Sequence, residues 1–306
     1  MSAAVYRARA HAVAAIRAWF ATRGYLETIT PCIVPSPALE PYLYGVRADD
    51  GWLRTSPEFA LKKRIGAGLP RVYELGPCFR ARESGPWHAV EFSMLEWYRA
   101  GARQFDLMDE VESLIAAVAS ALGVPAPAEW ERRSVASLFA EIGVDLYSVA
   151  ARELSPRDAV DANPEEAWDL AFFRRWVEDV EPRLLKPTFV YDWPASQAAL
   201  ARVRTDQRWP VAQRFEAYLG GVELANAFEE LLDGDELRQR FLAANAVRVA
   251  NGEPPHPIDD ALIEAVGRMP PTSGIALGVD RLVATLCGWP GIAGPTLPAT
   301  RRPHVL

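Results

Sequence analysis

Histidine and cysteine are scarce, with four and three in 306 residues. Cys32, Cys78 and Cys287 lie far apart and form no CxxC pair, so neither a disulfide framework nor a zinc cluster is expected. No run of about 18 apolar residues occurs, so no helical membrane span is expected. The N-terminal stretch MSAAVYRARAHAVAAIRAWF scatters arginines where a secretory signal would hold an unbroken apolar core. Positive charge is also in deficit: 33 Lys and Arg against 40 Asp and Glu give a net charge of −7. That balance argues against a broad nucleic-acid-binding surface, while a local basic patch stays open. What remains is ordinary globular composition, 50% hydrophobic and 24% charged. The expectation is a soluble, cytoplasmic protein with no membrane partner.

The most informative stretch is RVYELGPCFRARESGPWHAVEFSMLEWYR, from Arg71 to Arg99. It reads as a long strand, an irregular Ser-Gly-Pro turn and a second strand. On the second strand His88, Val90, Phe92, Met94, Glu96 and Tyr98 share one parity and therefore one face. A face mixing imidazole, carboxylate, phenol and large apolar groups suits the floor of a site for a charged, partly aromatic ligand better than a plain core.

Around that hairpin, Val13, Ile16 and Phe20 mark an amphipathic helix over about Val5 to Arg23, with Gly24 as its cap. Tyr25 to Val34 reads as a strand that Pro31 confines to an edge or interface, and Pro35, Pro37 and Pro41 make an extended connection. Ser56-Pro57-Glu58 is a helix start, which alone would explain Glu58 as a charge complementing the helix dipole. Phe105, Met108, Val111, Ile115, Val118 and Leu122 form a core stripe ending at Gly123 and Pro125. Helical pieces follow over Val135–Ile142 and Glu165–Val180, with Asp158 and Asp161 in a solvated loop and a strand at Thr188–Tyr191 stopped by Trp193-Pro194.

Gly220-Gly221 between two apolar-alternating runs signals a hairpin. With those glycines as the loop, Tyr218 pairs with Glu223, and Glu216 and Glu223 share a face. Like charges side by side are destabilising unless a cation such as a hard divalent ion lies between them or the face is open to water. Glu230 has the opposite parity to Glu216 and joins that face only through a bulge or a turn. Helices are expected over Asp235–Val249 and Asp259–Val266, either side of a Pro-rich loop. Finally Gly274, Ala276 and Gly278 alternate along a strand, leaving one face nearly bare. A planar ligand can lie close to such a backbone, and Arg281 at the next helix start is placed to meet a phosphate.

Three segments, in fixed order, resemble the motifs of class II aminoacyl-tRNA synthetases: Tyr25 to Pro31, CFRARE followed by HAVEF, and GIALGVDR. The words between them, TSPE, EFSMLEWY, KPTFVYDWPASQAAL, GGVELANAFEEL and HPIDDALIEA, are similar to the lysyl branch. They are closest in kind to its short paralogues that ligate (R)-β-lysine to elongation factor P. The resemblance runs from about Val5 to Gly288. Ala276, where lysyl-tRNA synthetases usually carry glycine, favours the paralogues, as does the short segment before the first motif.

The resemblance implies an α+β fold, an antiparallel sheet flanked by helices, as one catalytic domain over 1–306 without an anticodon-binding domain. It implies ATP and Mg²⁺ as cofactors, lysine or β-lysine as substrate, elongation factor P as acyl acceptor, a homodimer, and no tRNA partner. Arg80 and Arg281 would be catalytic, holding the α- and γ-phosphates. Arg82, Glu83, His88, Phe92, Glu223, Leu224 and Gly278 would complete the ATP site, with Phe92 stacked on adenine. Glu216 and Glu223 would bind Mg²⁺. Glu58 would meet the substrate's near amino group and Tyr98 and Glu230 its distal ammonium, with Ser56, Glu96, Asn226 and Ala276 lining the pocket. Arg82 and Ala89 stand where the family usually has glutamate and asparagine, and Ala227 and Glu229 where it has glycine and histidine. Two other readings stand beside it: a regulatory or binding module with impaired catalysis, which Arg82 and Ala89 would suit, and a tRNA-charging lysyl synthetase fragment.

Overall fold

The computed structural model describes residues 3–148, 164–206 and 209–292; Asp158 and Asp161 lie outside them. Helix α1 (Ala3–Ala21) buries Ala12, Ile16, Trp19 and Phe20, the single stripe its spacing dictates. The continuous strand expected from Tyr25 to Val34 is instead two short ones, β1 (Leu26–Glu27) and β2 (Ile33–Val34). Pro31 between them has no N–H to offer a ladder. β3 (Val46–Ala48) and β4 (Gly51–Leu53) join β2 in a small three-stranded sheet. Helix α2 (Glu58–Gly66) starts after Pro57, with Ser56 Oγ accepting the Glu58 N–H at 2.9 Å.

The long hairpin is β5 (Arg71–Phe79) and β6 (Glu91–Ala100). β6 starts later than the alternation suggests: His88 and Val90 belong to the turn, and Val90 is exposed. Next come α3 (Gln104–Leu122), β7 (Glu131–Ser134), α4 (Val135–Glu141) and α5 (Pro164–Arg175), which widens into a π turn over Trp176–Val180. Phe105 departs from the expected α3 core stripe and packs edge-on to Tyr191 at the surface. β8 (Thr188–Pro194) runs through Trp193 and Pro194, which pair with Ala212 and Val211. β9 (Val203–Arg204), β10 (Val211–Leu219) and β11 (Val222–Glu229) precede α6 (Gly234–Ala250) and α7 (Asp260–Arg268). β12 (Thr272–Gly278) and α8 (Val279–Leu286) complete the fold.

The main sheet runs in the order β1-β5-β6-β12-β11-β10-β8-β7, with β9 on β10. Its six central strands are antiparallel, and only the edge pairs β1–β5 and β7–β8 are parallel. One face packs on α1, α3 and α8 through Leu95, Trp97, Phe215, Ile275 and Leu277. The opposite face carries the polar alternates of the same strands. At the rim Arg54 and Glu74, both buried, pair at 2.5 Å, and Arg54 also reaches Thr30 Oγ1 and Pro77 O. Losing one member of a buried pair typically costs about 3–5 kcal/mol, so this contact fastens the β2–β4 sheet to β5. Among the described residues no helix is long and apolar enough to cross a membrane.

Candidate active site

Strand register builds the site's floor. Tyr98, Glu96 and Met94 of β6 stand opposite Gly274, Ala276 and Gly278 of β12, while Phe228 and Asn226 of β11 stand opposite Gly274 and Ala276. Directly opposed residues share a face, so Met94, Glu96, Tyr98, Asn226 and Phe228 rise together around a strip of small residues. The strip is needed: a Cβ on Gly274 would lie 2.2 Å from the Tyr98 ring and 2.5 Å from Glu230 Oε1.

The β10–β11 hairpin turns at Gly220-Gly221 and pairs Tyr218 with Glu223, as its sequence predicts. Register slips next to this pair: Ala217 opposes Ala225, leaving Leu224 as the extra residue. That bulge turns Glu223 onto the face of Asn226 and Phe228, together with Glu216. The Leu224 side chain packs in the core, and the residue also lines the cavity, where its expected place on the nucleotide put it.

Above this floor lies a cavity of about 560 Å³. Its wall includes Ser56, Glu58, Arg80, Glu83, His88, Phe92, Glu96, Tyr98, Glu223, Asn226, Ala276, Gly278 and Arg281. Two arginines stand on the wall. Arg80 lies over the Phe92 ring, 5.3 Å from its centroid, and donates to Thr55 O at 3.4 Å. Arg281 donates to Trp87 O at 3.1 Å and to Glu223 O at 2.9 Å, and meets His88 Nε2 at 2.7 Å. Burial and the Arg281 charge hold the His88 pKa below its usual value, so its imidazole is a neutral acceptor for that arginine. Asp280 fixes the helix start from below, accepting from the Ser93 N–H at 2.7 Å and pairing with Arg9 of α1.

The wall also carries carboxyl groups. Glu96 accepts from Ser56 Oγ at 2.6 Å and from the Tyr98 hydroxyl at 2.7 Å. Burial, then the charge of Glu58, push its carboxyl up to about 8. Glu58 pairs with Lys62, one helical turn on, at 2.5 Å. The same ammonium lies 2.7 Å from Glu230, whose side chain is fully buried. Glu230 follows the last residue of β11, where a single bridge to Ala201 holds the backbone.

Three expected site residues are placed differently. Arg82 is absent from the cavity wall: with φ at 66° and its side chain 61% exposed, it lies over the Tyr44 ring and pairs with Glu253 at 2.8 Å. The left-handed turn aims it outward. Glu216 sits behind the wall, held by Arg214 at 2.5 Å and the Tyr218 hydroxyl at 2.6 Å. Burial pushes its carboxyl up to about 7, with Glu223 adding to the rise against the pull of Arg214. Glu230 is not itself on the cavity wall: one oxygen pairs with Lys62 at 2.7 Å, and the other lies 2.5 Å from where a Cβ on Gly274 of the floor would stand. Lys62 itself escaped sequence reasoning, although its spacing of four from Glu58 on one helix was the available signal. Glu40 escaped too, inside the proline-rich connection, yet it lines the cavity. Glu229, where histidine was usual, is buried and takes Gln213 and Arg202 at 2.8 and 2.6 Å.

Fold and cavity together define an α+β domain with a pocket lined by both arginines and carboxyl groups. The chain belongs to the family described as tRNA synthetases class II (D, K and N), whose model it matches over residues 1–294. Membership implies an ATP-dependent ligase that activates an amino acid.

Proposed function

We propose that the protein adenylates lysine or (R)-β-lysine and transfers the acyl group to a lysine side chain of elongation factor P. The observation that supports this most is that one cavity is lined by two arginines, Arg80 and Arg281, and by the carboxyl groups of Glu58 and Glu96. A diamino acid and a polyphosphate bring the complementary charges.

In the first step a carboxylate oxygen of the amino acid attacks the α-phosphorus of ATP, and the bond to the pyrophosphate oxygen breaks. Arg80 offers a fixed positive charge where negative charge gathers on the α-phosphate, and Arg281 does the same for the departing pyrophosphate. Phe92 supplies an aromatic face for adenine. In the second step the neutral ε-amine of the acceptor lysine attacks the acyl carbon, AMP leaves with the bonding electrons, and the amine's extra proton passes to solvent. Glu223, on the cavity wall, would hold Mg²⁺, which when bound supplies charge neutralisation to the phosphates, and Glu216, behind the wall, would join it only on release from Arg214. The fit is electrostatic: the carboxyl of Glu216 is raised partly by Glu223, and a cation near both relieves that repulsion. The reading includes a homodimer through the face of α1, β1 and β2, where Tyr6, Leu26, Ile29 and Ile33 are exposed.

ATP–pyrophosphate exchange with L-lysine, both β-lysine enantiomers and a panel of other amino acids tests the first step. Exchange confined to lysine isomers is the expected result, followed by labelling of purified elongation factor P. Exchange with none of them would sink the enzymatic reading in favour of a binding module. Stable charging of tRNA with L-lysine would replace the acceptor.

A further inference from the structure

Glu40 has no part in the roles assigned so far. It stands in the connection between β2 and β3, half-buried, and lines the cavity with Glu58 and Arg80. The other carboxylates nearby are engaged: Glu58 and Glu230 by Lys62, and Glu96 by Ser56 and Tyr98. Among the described residues no ion pair is made by the Glu40 carboxylate, and Arg80 and Lys62 are the cations in its surroundings. Burial and then the charge of Glu58 push its carboxyl up, with Arg80 and Lys62 pulling the other way. A carboxylate crowded against another, with no cation of its own, gains from any ligand cation that enters between them.

The molecule itself indicates which cation. Lys62 places a primary ammonium between two carboxylates from different elements, at 2.5 and 2.7 Å. No group of three or more metal-type ligands is assembled among the described residues. Arg80, assigned above to the α-phosphate, belongs to the charged surroundings of Glu40. The ammonium that Glu40 can meet is therefore the one nearest the substrate's carboxylate.

We propose that Glu40 is a substrate-contacting residue that, with Glu58, flanks the near ammonium of the diamino acid and so accommodates it on either the second or the third carbon. This rests on the adenylation reading. Moving the amine from the second to the third carbon displaces it by about one bond length, roughly 1.5 Å. One carboxylate follows such a shift poorly, whereas a pair on either side accommodates it.

The test is the Glu40→Gln variant, measured by calorimetric binding of L-lysine, (R)-β-lysine and 6-aminohexanoate. The last keeps the carboxylate and distal ammonium but lacks the near amine. The expected result is about tenfold weaker binding of both lysines, about 1.4 kcal/mol, with 6-aminohexanoate changed less than about twofold. The melting temperature should hold or rise, because a buried repulsion is removed. Glu40→Asp, which keeps the charge on a shorter stem, should retain part of the lysine affinity and serves equally where the Gln variant fails to fold. Equal weakening of all three ligands, or of none, would overturn the role of Glu40 while leaving adenylation standing. Failure of the unaltered protein to bind any lysine isomer would overturn both.

Discussion

The ammonium of Lys62 lies 2.7 Å from a carboxylate oxygen of Glu230, and the two side chains are 3% and 0% exposed. A helix and the end of a strand, far apart in sequence, are thereby joined through charge beneath the cavity.

Replacing Lys62 with methionine leaves Glu230 buried without its cation, which should cost about 3–5 kcal/mol of stability at pH 8.5. At pH 6 the loss should be smaller. The Glu230 carboxyl is pushed up to about 7 by burial even with Lys62 present, and without that cation it rises further and protonates. Urea unfolding at both pH values checks this, and a loss independent of pH would refute it. The double variant Lys62→Met, Glu230→Gln should recover most of the loss.

Glu96 makes substrate binding pH-dependent. Its carboxyl, pushed up to about 8, is largely protonated in the free protein at neutral pH. Pairing with an ammonium favours the ionised form, so lysine binding should release a proton at pH 7. Affinity should then rise from pH 6.5 to 8.5. Stability of the ligand-free protein runs the other way, because a raised carboxyl is ionised less readily folded than unfolded. Stability is therefore lost as pH climbs from about 4.5 through 8. Calorimetry in two buffers of different ionisation enthalpy measures the proton count, and a value of zero would rule out the linkage.

Arg82 points to Glu253, so Arg82→Ala should change the KM for ATP by less than about twofold. Arg80→Ala or Arg281→Ala should lower pyrophosphate exchange about a hundredfold or more. A large effect of Arg82→Ala on ATP would show that the turn rearranges around nucleotide.

Gly274 touches the Tyr98 ring and Glu230 too closely for any side chain. Gly274→Ala should destabilise the fold by about 1–3 kcal/mol through overpacking and should weaken lysine binding. A variant of unchanged melting temperature and affinity would contradict the close approach.

Ile29 is 89% exposed next to exposed Leu26 and Ile33. In the proposed dimer Ile29→Asp should yield a monomer by light scattering at micromolar concentration. A monomeric unaltered protein would remove the dimer from the reading.

Much of this was legible in the chain. Alternation alone put Phe92, Met94, Glu96 and Tyr98 on one face, and the Gly220-Gly221 pair announced its hairpin. The bare strip at Gly274, Ala276 and Gly278 was equally plain, because side-chain direction in a strand follows from local covalent geometry. Tertiary structure alone decided the charges. The bulge at Leu224 brought Asn226 and Phe228 onto the face that Glu223 shares with Glu216, the left-handed turn at Arg82 swung an expected nucleotide contact outward, and the chain's return after β11 put Glu230 over Lys62. The proline-rich connection itself came to line the cavity, bringing Glu40 with it. Periodicity selects a face, but a long charged side chain on that face takes whichever opposite charge the fold brings within a few ångströms. Burial then sets how much that pairing is worth.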